Sequence, residues 1–161
     1  MAALAAALIL LTGSESPTVR EAARLGDRPP TEAVAVDPSG SKLLTANVEG
    51  VPFPNWSHQF GWRQAGIRSD DLGDRHAKTV VYEQDNKRLA YTIVSGKGIA
   101  APSDSTATRR NGVNLHLFQE QGRRVVTWWR DGRTCVLSGS QVGDRELVKL
   151  ASWKGDGAVP F

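Results

Sequence analysis

The segment from Val125 to Trp153, VVTWWRDGRTCVLSGSQVGDRELVKLASW, constrains the fold more than any other part of the chain. Val125 to Trp129 is a run of β-branched and aromatic side chains, the kind that suits a pleated, half-buried surface. Asp131-Gly132 follows as a turn, because glycine tolerates positive φ, and Thr134 to Leu137 makes the return strand. Beyond Ser138-Gly139-Ser140 the apolar period changes from about 2 to about 3.6. Val142, Leu147, Leu150, Ala151 and Trp153 then fall on or near one helical face. Trp128 and Trp129, adjacent in a strand, must point to opposite faces, so one belongs to the core and the other is partly covered. Nothing in this module is chemically reactive in an obvious way.

Upstream the same period-two pattern recurs. Leu43 to Glu49 alternates without declaring which face is buried, and Lys78 to Glu83 pairs with Lys87 to Val94 around Asp85-Asn86. Val113 to Phe118 forms a further strand, turned by Gln121-Gly122 into Val125 to Trp129. Residues 95–111 are polar and aperiodic and read as a connection. These elements predict an α+β fold: an antiparallel sheet of about five to six strands in hairpins, covered on one face by the C-terminal helix. Residues 51–77 lack a clean period and are rich in Gly, Pro and aromatic side chains, so they read as a long packed loop. Phe53, Trp56, Trp62, Arg68 and Asp70 in that stretch are the candidate interaction surface. The competing reading is that these tryptophans anchor the loop onto the sheet as core.

The first forty residues differ in character. Residues 1–12, MAALAAALILLT, are apolar and carry no basic side chain. The run is shorter than the roughly 20 residues that span a bilayer, and it lacks the charged start of a secretory signal. It is expected to be the end of a transmembrane helix, against a degenerate signal segment or an ordinary buried helix. Residues 13–40 read as a stalk. In it Thr18 caps a short helix to Arg24 or Leu25, with Glu21 completing a capping box, and Gly26 and Pro29-Pro30 end it. The expected organisation is therefore membrane segment 1–12, helical stalk 13–40, globular domain 41–155 and tail 156–161.

Chemistry-bearing groups are sparse. The net charge of +3 is too small to imply nucleic acid, although residues 41–161 carry +5 and residues 1–40 carry −2. Cys135 is the sole cysteine, so no internal disulfide and no multi-cysteine zinc site can form. His58, His76 and His116 lack the spacing of a zinc pair, and Asp70, Asp71 and Asp74 miss the calcium-loop pattern. Cys135 sits mid-strand, where a thiol is usually packing. Ser138 and Ser140 do not form the G-x-S-x-G elbow, and Gly96-Lys97-Gly98 does not form a phosphate loop. No catalytic residue, cofactor or metal is expected. Arg109, Arg110, Arg123, Arg124, Arg130 and Arg133 could gather into one cationic edge if their turns share an end of the sheet; solvation of hairpin ends is the plainer reading.

GVPFPNW (50–56), GWRQAGIRSDDLGDRHAKTVVY (61–82), RLAYTIVSG (88–96) and WWRDGRTCVLSG with its ELVKLASW helix carry a family resemblance. Together they resemble the extracytoplasmic C-terminal region of bacterial membrane-spanning anti-sigma factors of the zinc type, over roughly residues 43–154. In that family a cytoplasmic domain with an H-x3-C-x2-C motif holds the sigma factor, and one transmembrane helix leads to an outer domain. This sequence contains no such motif. The resemblance thus implies the outer, non-catalytic half, placed outside a single-pass bacterial membrane and regulating transcription in response to envelope stress. The implied partners are an envelope protein, a protease cutting the stalk, or a small-molecule signal. The sigma factor would be reached only through the missing cytoplasmic domain, the membrane through the N-terminal segment, and nucleic acid not at all. The alternative is a secreted or surface module that binds a small ligand in an aromatic pocket.

Overall fold

The computed structural model describes residues 16–35 and 40–155, so the expected membrane segment and the tail lie outside the described residues. Among the described residues no helix is long and apolar enough to cross a membrane. The elements in order are α1 (Val19–Leu25), β1 (Leu43–Val48), β2 (Val51–Pro54), α2 (Ser57–Phe60), β3 (Arg63–Leu72), β4 (Arg75–Gln84), β5 (Lys87–Val94), β6 (Thr106–Arg110), β7 (Val113–Glu120), β8 (Arg123–Arg130), β9 (Arg133–Gly139) and α3 (Asp144–Ala151). Seven strands form one antiparallel sheet in the order β3-β4-β5-β9-β8-β7-β6, and β1 with β2 makes a separate hairpin. The expected α+β class and helix-covered antiparallel sheet are observed.

Local chemistry explains the hairpins. Five two-residue turns put both central residues at positive φ: Glu49-Gly50, Asp85-Asn86, Asn111-Gly112, Gln121-Gly122 and Asp131-Gly132. Such turns match the right-handed twist of the flanking strands. The one long excursion, residues 95–105, carries the chain from β5 to the far edge strand β6. The chain then returns inward through β7 and β8, and β9 closes the sheet against β5 with Ile93 opposite Cys135.

Alternation sorts the core into two layers. On the first face Val80, Tyr82, Leu89, Tyr91, Ile93, Val126, Trp128, Cys135 and Leu137 meet α3 and the β1–β2 hairpin. Trp56 stacks near-parallel on Tyr91, with ring centroids 5.8 Å apart, and Phe53 meets Tyr91 edge-on at 5.4 Å. On the second face Ala77, Val94, Phe118, Val125 and Val136 are covered by α1 through Val19, Ala22, Ala23 and Leu25.

Two expectations are corrected here. First, α1 forms with the anticipated Thr18–Glu21 capping box, but it does not stand off as a stalk. Its four apolar side chains are each at most 3% exposed, and Gly26 lies so close to the sheet that a Cβ there would fall 2.8 Å from Ala90 Cβ. Arg20 reaches Glu120 at 2.6 Å and Asp104 at 2.7 Å, Arg24 reaches Glu120 at 2.8 Å, and Arg123 reaches Asp27 at 2.5 Å. A seven-residue helix is too short to hold itself in water, so packing supplies its stability. Second, the supposed loop 51–77 is mostly ordered elements, including the ten-residue strand β3. As an edge strand facing solvent along much of its length it carries Ser69, Asp70 and Asp71, which mute the β signal.

Candidate ligand-binding cleft

The residues expected to make an interaction surface divide between core and staple. Phe53, Trp56 and Trp62 are 0%, 1% and 1% exposed, so these three are core side chains and not a surface. Trp62 is tied to α3 by a long indole N–H bond of 3.4 Å to Glu146. Arg68 grips Asp70 with two bonds of 2.7 Å and donates to the Pro29 carbonyl at 2.8 Å, while Arg28 adds a third contact to Asp70 at 2.9 Å. Together with the Glu32–Ile67 bridge, this set pins residues 28–32 along the open edge of β3. The Arg68 and Arg28 guanidiniums hold the Asp70 carboxyl below the usual carboxylate range.

The groups weighed for chemistry stay apart. Cys135 is fully buried beside Tyr91 and Arg130, and burial pushes its thiol up to about 11. His76 pairs with Asp71 at 2.7 Å, His116 lies 3.3 Å from Ser105 Oγ, and His58 is exposed on α2. Among the described residues no three His, Cys, Asp or Glu side chains are grouped to hold a metal ion. The arginines do not make one edge. Antiparallel pairing puts the 111–112 and 131–132 turns at one end of the sheet and the 121–122 turn at the other. Arg123 binds Asp27, Arg124 faces Asp144 at 3.5 Å, Arg133 pairs with Glu49, and Arg109 contacts Asn114 at 3.3 Å.

The sheet itself opens at the end that holds Asp131-Gly132. The β7–β8 ladder stops at His116 opposite Thr127, although both strands continue for three more residues. Val113 remains paired to β6 through Arg110, and Arg130 remains paired to β9 through Arg133. The two halves of the sheet therefore part along a seam between residues 113–115 and 128–130. A cavity lies on each side of it. The first, about 400 Å³, is bounded by the β1–β2 hairpin and the end of α3, with Leu43, Trp56, Trp128, Arg130, Ala151 and Trp153 on its wall. The second, about 430 Å³, lies under residues 99–101, with His116, Thr127 and Asn114 on its wall. Val113, Trp128 and Trp129 border both. Volumes of this size are those of small-molecule sites.

Trp129 shapes the mouth. It is 60% exposed, its indole N–H donates to the Ile99 carbonyl at 2.9 Å, and its ring lies flush with Gly98, where a Cβ would fall 2.7 Å away. Leu43, at 41%, and Trp129 are the large apolar side chains left exposed among the described residues, and both rim the first cavity. Inside, Arg130 donates from Nη1 to the Pro52 carbonyl at 2.9 Å and to Tyr91 Oη at 2.8 Å. Trp56 Nε1 is buried, and among the described residues it is the one buried side-chain donor or acceptor that lacks a partner. Sequence reasoning singled out Trp56 but looked for its neighbours at Trp62. The partners are Val113, Trp128, Trp129 and Arg130, and the one available signal was that adjacent tryptophans in a strand cannot both be buried on the same face.

No protein-family model matches this chain, and no curated protein does. Among solved structures, the chain is similar to a GTP binding regulator from Thermotoga maritima at 20% identity and a TM-score of 0.40, over 55% of this chain and 73% of that one. A likeness at that score carries no argument about activity.

Proposed function

We propose that this protein is the extracytoplasmic, non-catalytic regulatory domain of a membrane-anchored bacterial anti-sigma factor, acting in envelope-stress control of transcription. One observation carries the reading: WWRDGRTCVLSG, the most specific part of the resemblance, supplies the end of β8, the turn and the whole of the central strand β9, and through Trp128, Trp129 and Arg130 it walls the cleft. A signal taken up there would act on the same strands that organise the fold. The sigma factor would be reached only through a cytoplasmic domain of the anchored protein, whereas an envelope protein, a small-molecule signal or a protease would act on this outer part. The test is to sequence the natural reading frame around this domain and co-purify its product from membranes. A membrane span, an H-x3-C-x2-C motif and a bound sigma factor are expected; a product with none of these removes the proposal.

A second reading is favoured by the cleft alone: a secreted or surface module that captures a small ligand. Its support is the pairing of a cavity walled by aromatic and charged side chains with a rim of exposed Leu43 and Trp129. Equilibrium dialysis against a mixture of small aromatic compounds tests it, and retention of none of them counts against it.

A further inference from the structure

The second cavity, under residues 99–101, differs from the first in its chemistry. Among the described residues no Asp, Glu, Lys or Arg borders it, and Ile99, Ala101, Val113 and Trp129 supply its apolar walls. Trp129 is a fixed wall, because its indole N–H is tied to the Ile99 carbonyl and its ring rests on Gly98. Two polar neighbours are already engaged: Thr127 Oγ1 donates to the Cys135 carbonyl at 2.9 Å, and Asn114 Oδ1 accepts from Arg109 at 3.3 Å. His116 is only half satisfied. Its Nδ1 lies 3.3 Å from Ser105 Oγ, and that hydroxyl gives its single proton to the Pro102 carbonyl at 2.6 Å. Nδ1 must therefore be the donor in this contact, and in the neutral ring that leaves Nε2 with a lone pair. No hydrogen bond reaches Nε2 among the described residues. Trp56 Nε1 is the one unpartnered side-chain nitrogen or oxygen sealed from solvent there, so His116 Nε2 is accessible.

We infer that the second cavity binds a small, neutral, hydroxylated aromatic compound of the phenol class, whose hydroxyl donates to His116 Nε2 while its ring packs against Trp129, Ile99 and Val113. The inference rests on the ligand-binding reading and is independent of the anti-sigma one. An uncharged wall disfavours an anion or a cation, since neither finds a counter-charge there once it leaves water. The open acceptor selects a donor, and the Ser105–Pro102 contact fixes the imidazole in the form that can accept. The apolar walls and the volume of about 430 Å³ admit one or two fused rings. Because Val113 stands on one side of the seam and Trp129 on the other, the bound ring would also bridge the two halves of the sheet.

The test uses 2-naphthol, 2-methylnaphthalene and 2-naphthoate, which share a ring system and differ in the donor and the charge. The chain has three histidines, and His116→Phe identifies the His116 ring signals in a long-range ¹H–¹⁵N spectrum. In the unliganded native protein the protonated nitrogen should be Nδ1 and the bare one Nε2, and naphthol should move the Nε2 signal upfield. Naphthol should bind about three- to tenfold more tightly than methylnaphthalene, the worth of one neutral hydrogen bond, and naphthoate should bind most weakly. His116→Phe should abolish the naphthol advantage and leave methylnaphthalene unchanged. Ala101→Trp, which fills the second cavity alone, should weaken both neutral probes, whereas Leu43→Ala, on the wall of the first cavity, should weaken neither. A bare Nδ1, an Nε2 signal that naphthol leaves in place, or equal binding of naphthol and methylnaphthalene overturns the acceptor assignment. Binding that Leu43→Ala removes and Ala101→Trp spares places the ligand in the first cavity and also overturns the proposal. If these probes fail while dialysis retains other compounds, only this inference falls; if nothing is retained, the ligand-binding reading falls with it.

Discussion

Leu25→Ala measures whether α1 belongs to the folded core or merely connects to it. Leu25 is 3% exposed and packs with Val19, Ala22 and Ala23 against the second face of the sheet. The substitution removes three carbon groups, and burial is worth about 0.8 kcal/mol each, so the transfer contribution is about 2.4 kcal/mol. A residual cavity adds to this, and leucine-to-alanine changes in cores span about 2–5 kcal/mol. A short helix at the periphery can settle inward, which favours the lower half of that range, and we expect a loss of about 3 kcal/mol. Arg24→Ala on the same helix provides the control, because Arg24 is half exposed and its pairing with Glu120 should contribute no more than about 1 kcal/mol. Urea unfolding followed by circular dichroism gives both values, with unchanged slope showing that the unfolded state is comparable. A loss below about 1 kcal/mol for Leu25→Ala, or equal losses for the two variants, would refute the packing argument and restore α1 as a tether.

Other consequences are equally direct. The Cys135 thiol, buried and pushed up to about 11, should resist a disulfide-exchange reagent at pH 8 and react only at the rate of unfolding; prompt labelling of the native protein would show the strand pairing around it to be wrong. Hydrogen bonds from Arg20 and then Arg24 hold the Glu120 carboxyl below its usual range, so its contribution is present at neutral pH and lost as pH falls through that lowered value. The stability advantage of the native protein over Glu120→Gln should accordingly be largest near neutral pH and shrink as the pH falls below the ordinary glutamate range, and an advantage that grew on acidification would contradict the ion-pair geometry. Trp129 is 60% exposed, Trp153 is partly buried, and Trp56, Trp62 and Trp128 are at most 4% exposed, so Trp129→Phe should remove the largest share of the acrylamide-quenchable fluorescence and leave a smaller share from Trp153; quenching undiminished by the substitution would contradict the exposed position of Trp129.

Local chemistry alone determined much of this molecule. The hairpins are legible because Asp-Gly, Gln-Gly and Asp-Asn turns need only their own backbone preferences, and β-branched runs on each side supply the period. The capping box of α1 and the apolar stripe of α3 are local signals too, readable without knowing any partner. What α1 touches is not local. Its sequence, VREAARL, fits a solvated stalk as well as a packed helix, and the outcome rests on whether Leu25 and Ala22 find Val125 and Val136 about a hundred residues away. Strand β3 was hidden for the same reason, since Ser69, Asp70 and Asp71 tolerate a strand only because β4 pairs with it and Arg68 and Arg28 neutralise Asp70. The cleft is a tertiary product in full. A seam opens where Val113 stays with β6 and Arg130 stays with β9, and Trp56 reaches its wall from another hairpin. Turn and period are properties of neighbours along the chain, whereas a gap between two strands depends on where each of them found its other partner.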